Sequence, residues 1–277
     1  MPALYQSANS QTVADGAAPR LDTILANRRW RKRLGPFPHV TAENVFQPDF
    51  YLELENAFRD LLVPGLAGDR DPARFSRNTT GYAAHSILFS PRQTGPFSIF
   101  VSRAWHDLIA GLAGVEAKGD MNGGLHHHQP GNPNGWIHND LNPGWFVDNT
   151  NTDKINVYDS LVWDYKSGSA YGALLPVRET IRAATMIFYL NNPPWKPGYG
   201  GETGLYLSPR QPVEQPTVAV PPVNNSIVLF ECTPHSYHSF IANRYQERNS
   251  VILWLHRPKA EVISRWGADK IVYWPAG

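Results

Sequence analysis

From about residue 122 onward, clusters of proline, glycine and asparagine divide the sequence into short apolar runs. The runs ATMIFYL (184–190), GLYL (204–207), SIVLFE (226–231) and SVILWL (250–255) have the length of strands and are rich in β-branched or aromatic residues. Turn clusters such as NNPPWKPGYGGE and PPVNN separate them. Runs of this kind are typical of antiparallel strands, so this half of the chain predicts a β-sandwich or jelly roll.

The preceding part of the chain predicts helices. After a short strand near 39–45, a segment with a mostly apolar face begins at Pro48 and ends before Pro64-Gly65, positions typical of a helix start and stop. A second helix is predicted from about Ser102 to Leu112, with apolar residues on one side. Helices followed by strands predict an α+β chain.

The length of 277 residues suits one large domain or two small ones, and we predict a single domain behind an arm. Residues 1–20 are small, polar and aperiodic, and the basic run RRWRKR follows at 28–33. Such sequence is typical of an arm or a solvated helix face. The predicted units are a mobile or basic arm (1–35) and one domain (36–277), which contains helical support at about 46–115, a core at about 122–256 and an insert at 141–181.

Composition excludes several classes of function. The formal net charge of +1 gives no global electrostatic case for binding nucleic acid. The sequence has no run of about 18 apolar residues and no apolar region near its N-terminus, so neither a membrane span nor a signal peptide is predicted. The single cysteine, Cys232, excludes an internal disulfide, suits a reducing, cytoplasmic compartment and is predicted to be a packed thiol.

A histidine and an aspartate stand two positions apart in the stretch WIHNDLNPGWF (136–146). On a strand, side chains alternate between the two faces, so His138 and Asp140 would point the same way. They would supply two of the three ligands in the 2-His-1-carboxylate site of non-haem Fe(II) oxygenases. Alone the pair is weak evidence, because a turn-capping aspartate beside a structural histidine has the same spacing.

The downstream sequence favours the metal interpretation. His238 follows the strand SIVLFE at a position from which the chain could return to the same site. Arg248 stands ten residues later, at the start of an apolar strand. A guanidinium there could bind a carboxylate through two hydrogen bonds.

The HxD pair, the distal histidine and the later arginine together resemble the 2-oxoglutarate/Fe(II)-dependent dioxygenases, and within them the prolyl 4-hydroxylase-like group. TMIFYLNNPPWKPGYGGETGLYL and PFPHVTAENVF…FRDLL are similar to stretches of the same group. The likeness spans about 36–256 and is dense only in 136–140, 182–207 and 226–256. It implies a double-stranded β-helix (jelly-roll) core with the N-terminal helices packed against it.

Carried over residue by residue, the resemblance implies that His138, Asp140 and His238 bind iron. It implies that Arg248 holds the distal carboxylate of 2-oxoglutarate, with a hydrogen bond from Tyr189 of the YLN sequence. Fe(II) would be the cofactor, and 2-oxoglutarate and O2 the co-substrates. The reaction implied is hydroxylation of an unactivated C–H of an amino acid, peptide residue or small natural product, with release of succinate and CO2.

The insert 141–181 carries several aromatic residues in a polar background. We expect it to form a loop or lid that covers the substrate. This favours a small molecule or amino acid slightly over a folded protein. The candidate substrate-binding residues are the aromatic side chains that flank the HxD pair or lie in the insert: Trp136, Trp145, Trp163 and Tyr165.

Sequence spacing leaves alternatives for two of these roles. His235 competes with His238 as the distal ligand, but it lies thirteen residues before Arg248, which fits the family less well. Arg244 is the alternative to Arg248 as the carboxylate anchor.

Two further features have no role fixed by the sequence. The run His126-His127-His128 is interpreted as a polar surface loop, although its position before the HxD pair also suits the mouth of a site. Arg182 could face either the pocket or the surface.

Two other functions compete with the oxygenase. A cupin-type metalloenzyme would show an HxH pair and a glutamate, which this chain lacks at the relevant place. A catalytically silent jelly-roll binding module would not need all three ligands. Iron-dependent conversion of 2-oxoglutarate to succinate separates the three hypotheses.

Overall fold

The computed structural model describes residues 19–77, 83–148, 154–172 and 176–274. Residues 1–18 of the segment 1–20, predicted as a mobile arm, therefore lie outside the described residues. The helices are α1 (Leu21–Ile24), α2 (Pro48–Leu62), α3 (Arg103–Ala113) and α4 (Lys259–Trp266), with 3-10 turns at Pro96–Val101 and Ala268–Lys270. The strands are β1 (Arg31–Arg33), β2 (His39–Glu43), β3 (His85–Leu88), β4 (Asp120–His128), β5 (Pro143–Val147), β6 (Asn156–Val157), β7 (Val177–Tyr189), β8 (Thr203–Leu205), β9 (Val218–Val220), β10 (Ser226–Glu231), β11 (His238–Phe240) and β12 (Arg248–Pro258).

Within the described ranges, these strands form two sheets. The larger sheet has the order β1-β2-β10-β7-β12-β4-β3, with β5 paired to β7 and β6 to β4. The smaller sheet has the order β11-β8-β9. All of the pairs are antiparallel except β4 with β6. The predicted strands SIVLFE and SVILWL are confirmed as β10 and part of β12.

Strand β7 lies at the centre of the larger sheet and is buried on both faces. Met186 and Phe188 belong to the main apolar cluster on the helical side, whereas Ile187 and Tyr189 face the smaller sheet. The period of two along a strand produces this division. It explains why the sequence there is an unbroken apolar run rather than an alternation of apolar and polar residues.

Helices α2 and α3 cover one face of the larger sheet. Phe50, Leu54 and Phe58 of α2 join Trp105 and Ile109 of α3 in the same apolar cluster as the central strands. The ends of α3 follow local chemistry: the Ser102 side chain accepts a hydrogen bond from the backbone N–H of Trp105, and Gly114 closes the helix in the left-handed conformation. Both helices predicted from the sequence are confirmed.

The smaller sheet faces the opposite side of the larger one. Leu205 and Val220 of the smaller sheet pack with Tyr189, Phe230 and Ile252 of the larger sheet. Apolar side chains therefore fill part of the space between the two sheets. Buried polar side chains, among them His238 and Arg248, occupy the rest.

The basic segment is part of the sheet rather than an arm. Residues 31–33 pair with 39–41 as the exposed edge strand β1, and Trp30 packs edge-on against Trp105. The predicted arm at 1–35 is therefore wrong for the described residues from 19 onward, although the charged side chains of β1 are solvated as expected.

The insert 141–181 is also part of the fold where the structure describes it. Residues Pro143–Val147 form strand β5, which pairs with β7. Four aromatic residues of the insert form a buried cluster: Phe146, Tyr158, Trp163 and Tyr165. A Cβ atom on Gly144 would lie 2.5 Å from the Tyr165 ring, so the contact requires glycine. The expectation of a loose loop or lid is wrong for these residues, because their aromatic side chains are buried against one another and not held over a pocket.

No helix in the described ranges is long and apolar enough to cross a membrane.

The packing of the insert predicts a large loss of stability when Trp163 is truncated. Trp163 is 4% exposed and donates a hydrogen bond from Nε1 to the Trp145 carbonyl at 2.7 Å. We expect Trp163→Ala to lower the free energy of unfolding by about 3–5 kcal/mol, measured by urea denaturation.

Tyr171→Ala is the matched control in the same segment. Its side chain is 52% exposed, so we expect a change within about 0.5 kcal/mol. Equally small losses in the free energy of unfolding of the two variants would contradict this packing and favour the predicted lid.

Candidate functional site

Three potential metal ligands meet where the HxD segment crosses β11. The backbones of His138 and His238 exchange two hydrogen bonds of 3.0 and 2.8 Å, which brings the two imidazoles together. The Asp140 carboxylate lies between them, with Oδ1 at 3.5 Å from His138 Nε2 and Oδ2 at 3.4 Å from His238 Nε2. The structure thus gathers the three residues that the sequence proposed as ligands.

The HxD segment is not a regular strand, contrary to the expectation from alternation. It makes a single bridge at His138, and Asp140 has the left-handed φ of 59°. The intervening Asn139 turns the chain, because its side chain accepts a hydrogen bond from the Leu141 N–H and donates one to the Pro234 carbonyl. This turn brings the side chains of His138 and Asp140 together. Aspartate suits the position because it tolerates a positive φ better than most residues.

Backbone carbonyls fix the protonation of both imidazoles. Nδ1 of His138 lies 2.9 Å from the Trp136 carbonyl, and Nδ1 of His238 lies 3.0 Å from the Ser236 carbonyl. A carbonyl can only accept, so each Nδ1 carries the proton and each Nε2 presents a lone pair to the centre of the site. Burial lowers the pKa of His138 to about 4, which keeps its ring neutral near pH 7.

Asp140 is held by three hydrogen-bond donors. Arg182 donates to Oδ1 at 2.5 Å, and Thr185 and Trp254 donate to Oδ2 at 2.9 and 2.7 Å. Burial alone would raise the pKa of Asp140, but the charge of Arg182 holds that pKa well below its usual range. The carboxylate is therefore ionised and fixed in orientation.

This donor set fits a divalent iron. Two neutral imidazole nitrogens and one carboxylate oxygen lie within 4.8 Å of one another, the only such group of three among the residues that the structure describes. Ligands on one side of a metal leave other positions open for small molecules, which is the arrangement of non-haem Fe(II) oxygenases.

A second buried arginine lies in the same space between the sheets. Arg248 is 2% exposed, and its guanidinium donates to the hydroxyls of Ser250 and Thr203 at 3.0 and 3.3 Å. The Tyr189 hydroxyl lies 2.6 Å from that of Thr203. In the described part of the chain no carboxylate lies within 4.0 Å of Arg248, whereas a buried cation normally has an anionic partner. The guanidinium of Arg248 is thus suited to bind a carboxylate from a ligand.

The sequence alternatives at these two positions lie outside the site. His235 and Arg244 are both exposed, whereas His238 and Arg248 are buried between the sheets. The arrangement of the chain therefore agrees with the residues favoured by motif spacing.

Arg182 is the site residue whose orientation the sequence left open. The pairing of β7 with β12 shifts between Leu255 and His256, so that Ala183 has no partner on β12. Because of this bulge, Arg182 points to the same side as Thr185 despite the odd spacing. Its Nε also donates to the Tyr165 hydroxyl at 3.2 Å. A bulge set by a distant strand leaves no signal in the local sequence.

The histidine run at 126–128 does not form a surface loop, so that interpretation is wrong. All three residues lie on β4 and are buried. His127 faces the helical side and hydrogen-bonds Asn249, whereas His126 lies against Trp254 with ring centroids 6.3 Å apart. Pairing with β12 and β3 on either side is what buries this polar run.

The four predicted substrate residues are placed very differently. Trp136 is 55% exposed, and its ring lies 5.8 Å from that of His138, at the open side of the triad. Tyr165 is buried and touches the site only through Arg182. Trp163 lies within the insert cluster, and Trp145 packs against Gly168. Trp136 is thus the candidate that keeps an accessible position, and Trp163 is corrected to a packing residue.

Comparison with known proteins agrees with the site. The sequence model described as the 2OG-Fe(II) oxygenase superfamily matches residues 162–256, which is less than half of the chain. No curated protein sequence matches significantly.

Two solved structures are similar in fold. A Pseudomonas putida prolyl-4-hydroxylase is 16% identical and aligns over 81% of this chain and 95% of its own, with a TM-score of 0.50. A Trichoplax adhaerens prolyl hydroxylase in complex with a peptide fragment of the hypoxia inducible factor oxygen degradation domain is 15% identical. That alignment covers 84% of this chain and 89% of its own, with a TM-score of 0.51.

The family match over residues 162–256, the donor set and the fold support a 2-oxoglutarate-dependent non-haem iron oxygenase. Fe(II), 2-oxoglutarate and O2 are the cofactor and co-substrates of this class. Both solved structures are prolyl hydroxylases, so the predicted resemblance to the prolyl 4-hydroxylase-like group is confirmed at the level of the fold.

The burial of Asp140 beside Arg182 predicts that Asp140→Ala destabilises the protein even without metal. The substitution leaves a buried guanidinium without its counter-ion, which costs about 3–5 kcal/mol. The measurement is urea denaturation in the presence of a chelator.

His138→Ala is the control, because it removes a ligand but leaves the Asp140–Arg182 ion pair in place. We expect a distinctly smaller loss of stability, although this variant also loses the metal site. Equal stability of the two metal-free variants would contradict the role of the Asp140–Arg182 pair.

Proposed function

We propose that the protein hydroxylates an unactivated C–H bond of an amino acid, a peptide residue or a small natural product. The reaction would consume 2-oxoglutarate and O2 and release succinate and CO2, on a double-stranded β-helix core. The observation that carries the proposal is the pair of features between the two sheets: a His-Asp-His triad and a buried arginine without a carboxylate partner in the described chain.

In this proposal His138, Asp140 and His238 hold Fe(II) through their inward-facing Nε2 and carboxylate atoms. Bound Fe(II) would supply the activation of O2 that couples decarboxylation of the keto acid to oxidation of the substrate. Arg248 would bind the distal carboxylate, and Tyr189 would support it through the Thr203 hydroxyl. The apolar side chains around these groups would exclude water from the reacting centre.

Substrate selection is assigned to the open side of the triad. The exposed ring of Trp136 beside His138 offers an apolar contact there. The described part of the insert gives no support for a lid, so the slight preference for a small molecule or amino acid over a folded protein loses its basis. A prolyl hydroxylase of similar fold is known in complex with a peptide, which keeps a peptide residue among the candidates.

The direct test is 2-oxoglutarate turnover by purified protein loaded with Fe(II) under air. We expect slow formation of succinate without added substrate, and faster formation when a substrate from the three classes fits. A cupin-type enzyme or a silent binding module would form no succinate. Absence of succinate from protein that holds one Fe(II) per chain would overturn the proposal.

The distal ligand can be tested by paired substitutions. We expect His238→Ala to lose stoichiometric Fe(II), because the facial site is left with two ligands. The exposed neighbour changed in His235→Ala should leave iron binding intact. Iron content after gel filtration is the measurement, and retention of stoichiometric iron by His238→Ala would exclude this ligand set.

The carboxylate anchor can be tested in the same way. Arg248→Lys replaces a bidentate hydrogen-bond donor with a point charge. The 2-oxoglutarate concentration that gives half-maximal turnover should therefore rise by roughly tenfold to a hundredfold. Arg244→Lys, on the surface, should leave it unchanged. If 2-oxoglutarate titrates normally in Arg248→Lys and weakly in Arg244→Lys, the two roles are reversed.

A further inference from the structure

One polar side chain between the sheets has no place in the function described so far. His126 lies on β4 between Leu125 and His127, which face the helical side. By alternation its imidazole faces the smaller sheet, and its contact with the Trp254 ring agrees with that direction. His126 therefore shares a space with the triad and with Arg248.

The imidazole of His126 is buried without a hydrogen-bond partner. The residue is 8% exposed, and neither Nδ1 nor Nε2 has a partner within the described chain. Buried polar side chains are almost always hydrogen-bonded, so a group that lacks a partner in the protein indicates one from outside it. Burial, together with the charges of Arg248 and Arg182, lowers the pKa of His126 to about 3. The ring is therefore neutral near pH 7 and offers one N–H donor.

The position of His126 indicates what that partner is. On β12, Ser250 lies opposite His126, and the Ser250 hydroxyl is already bonded to the Arg248 guanidinium. On the other side of His126 is Trp254, whose Nε1 holds Asp140. A molecule that joins Arg248 to the triad would therefore pass beside this imidazole, whose cross-strand neighbour Ser250 contacts Arg248.

We propose that His126 is a further co-substrate-binding residue, which donates a ring N–H to the distal carboxylate of 2-oxoglutarate beside Arg248. This inference rests on the proposed function. It makes His126 a selector for keto acids that carry a second carboxylate. The neutral ring adds a donor without adding a second charge next to Arg248.

The test compares two keto acids that differ only in the distal group. 2-Oxoglutarate and 2-oxopentanoate are titrated anaerobically into the Fe(II)-loaded protein, followed by the visible absorption band of the keto acid chelate. For His126→Phe we expect the dissociation constant of 2-oxoglutarate to rise on the order of tenfold, since one hydrogen bond to a charged group is lost. Binding of 2-oxopentanoate should change less than about twofold, because it lacks the carboxylate that the bond requires.

Two further variants separate binding from packing. His126→Gln keeps an N–H donor and should retain 2-oxoglutarate affinity within about threefold. His106→Phe is the matched control: His106 is also buried with an unpartnered Nε2, but it lies on α3. This control should leave both titrations unchanged.

The outcomes distinguish this inference from the proposed function. If the wild-type protein binds Fe(II) but gives no band with 2-oxoglutarate, the proposed function itself fails. If the wild type titrates normally and His126→Phe weakens both keto acids equally, or neither, His126 does not contact the distal carboxylate. Loss of 2-oxoglutarate affinity in His126→Gln equal to that in His126→Phe would equally overturn the hydrogen bond.

Discussion

The site depends on the buried ion pair between Asp140 and Arg182. Moving a carboxylate and a guanidinium out of water is expensive, and the Asp140–Arg182 pair offsets this because the second carboxylate oxygen also accepts hydrogen bonds from Thr185 and Trp254. The donors come from different parts of the fold: Arg182 and Thr185 from β7, and Trp254 from β12. The central strands are thus linked to the turn that carries two of the three proposed metal ligands.

The two buried arginines between the sheets are in opposite situations. Arg182 has its carboxylate within the chain, whereas Arg248 has only hydroxyl partners and aromatic rings around it among the described residues. The first arrangement orients a proposed metal ligand before any metal binds, and the second leaves a buried cation available to an anion from solution. In the proposed function, this contrast separates the metal half of the site from the carboxylate half.

The sequence predicted features that local pattern determines. Short apolar runs bounded by turn residues identified the core strands, Ser102 marks the start of α3, and motif spacing selected residues that the fold brings to one point. Features set by distant pairing were missed. Strand β5 pairs with β7, which lies some thirty residues later in the chain. The local sequence carries no sign of this pairing, so the insert 141–181 has the pattern of a loop or lid. The polar run at 126–128 is buried by β12, which lies over a hundred residues away. A bulge in the pairing of β7 with β12 turns Arg182 inward.

The central claim is that one iron and one keto acid bind between the two sheets. The most direct measurement is anomalous diffraction at the iron edge from crystals grown anaerobically with Fe(II) and 2-oxoglutarate. The account predicts one peak bonded to Nε2 of His138, Nε2 of His238 and an oxygen of Asp140, with the keto acid extending from it to Arg248. An iron peak at any other residues, or a keto acid whose distal carboxylate does not reach Arg248, would contradict the account.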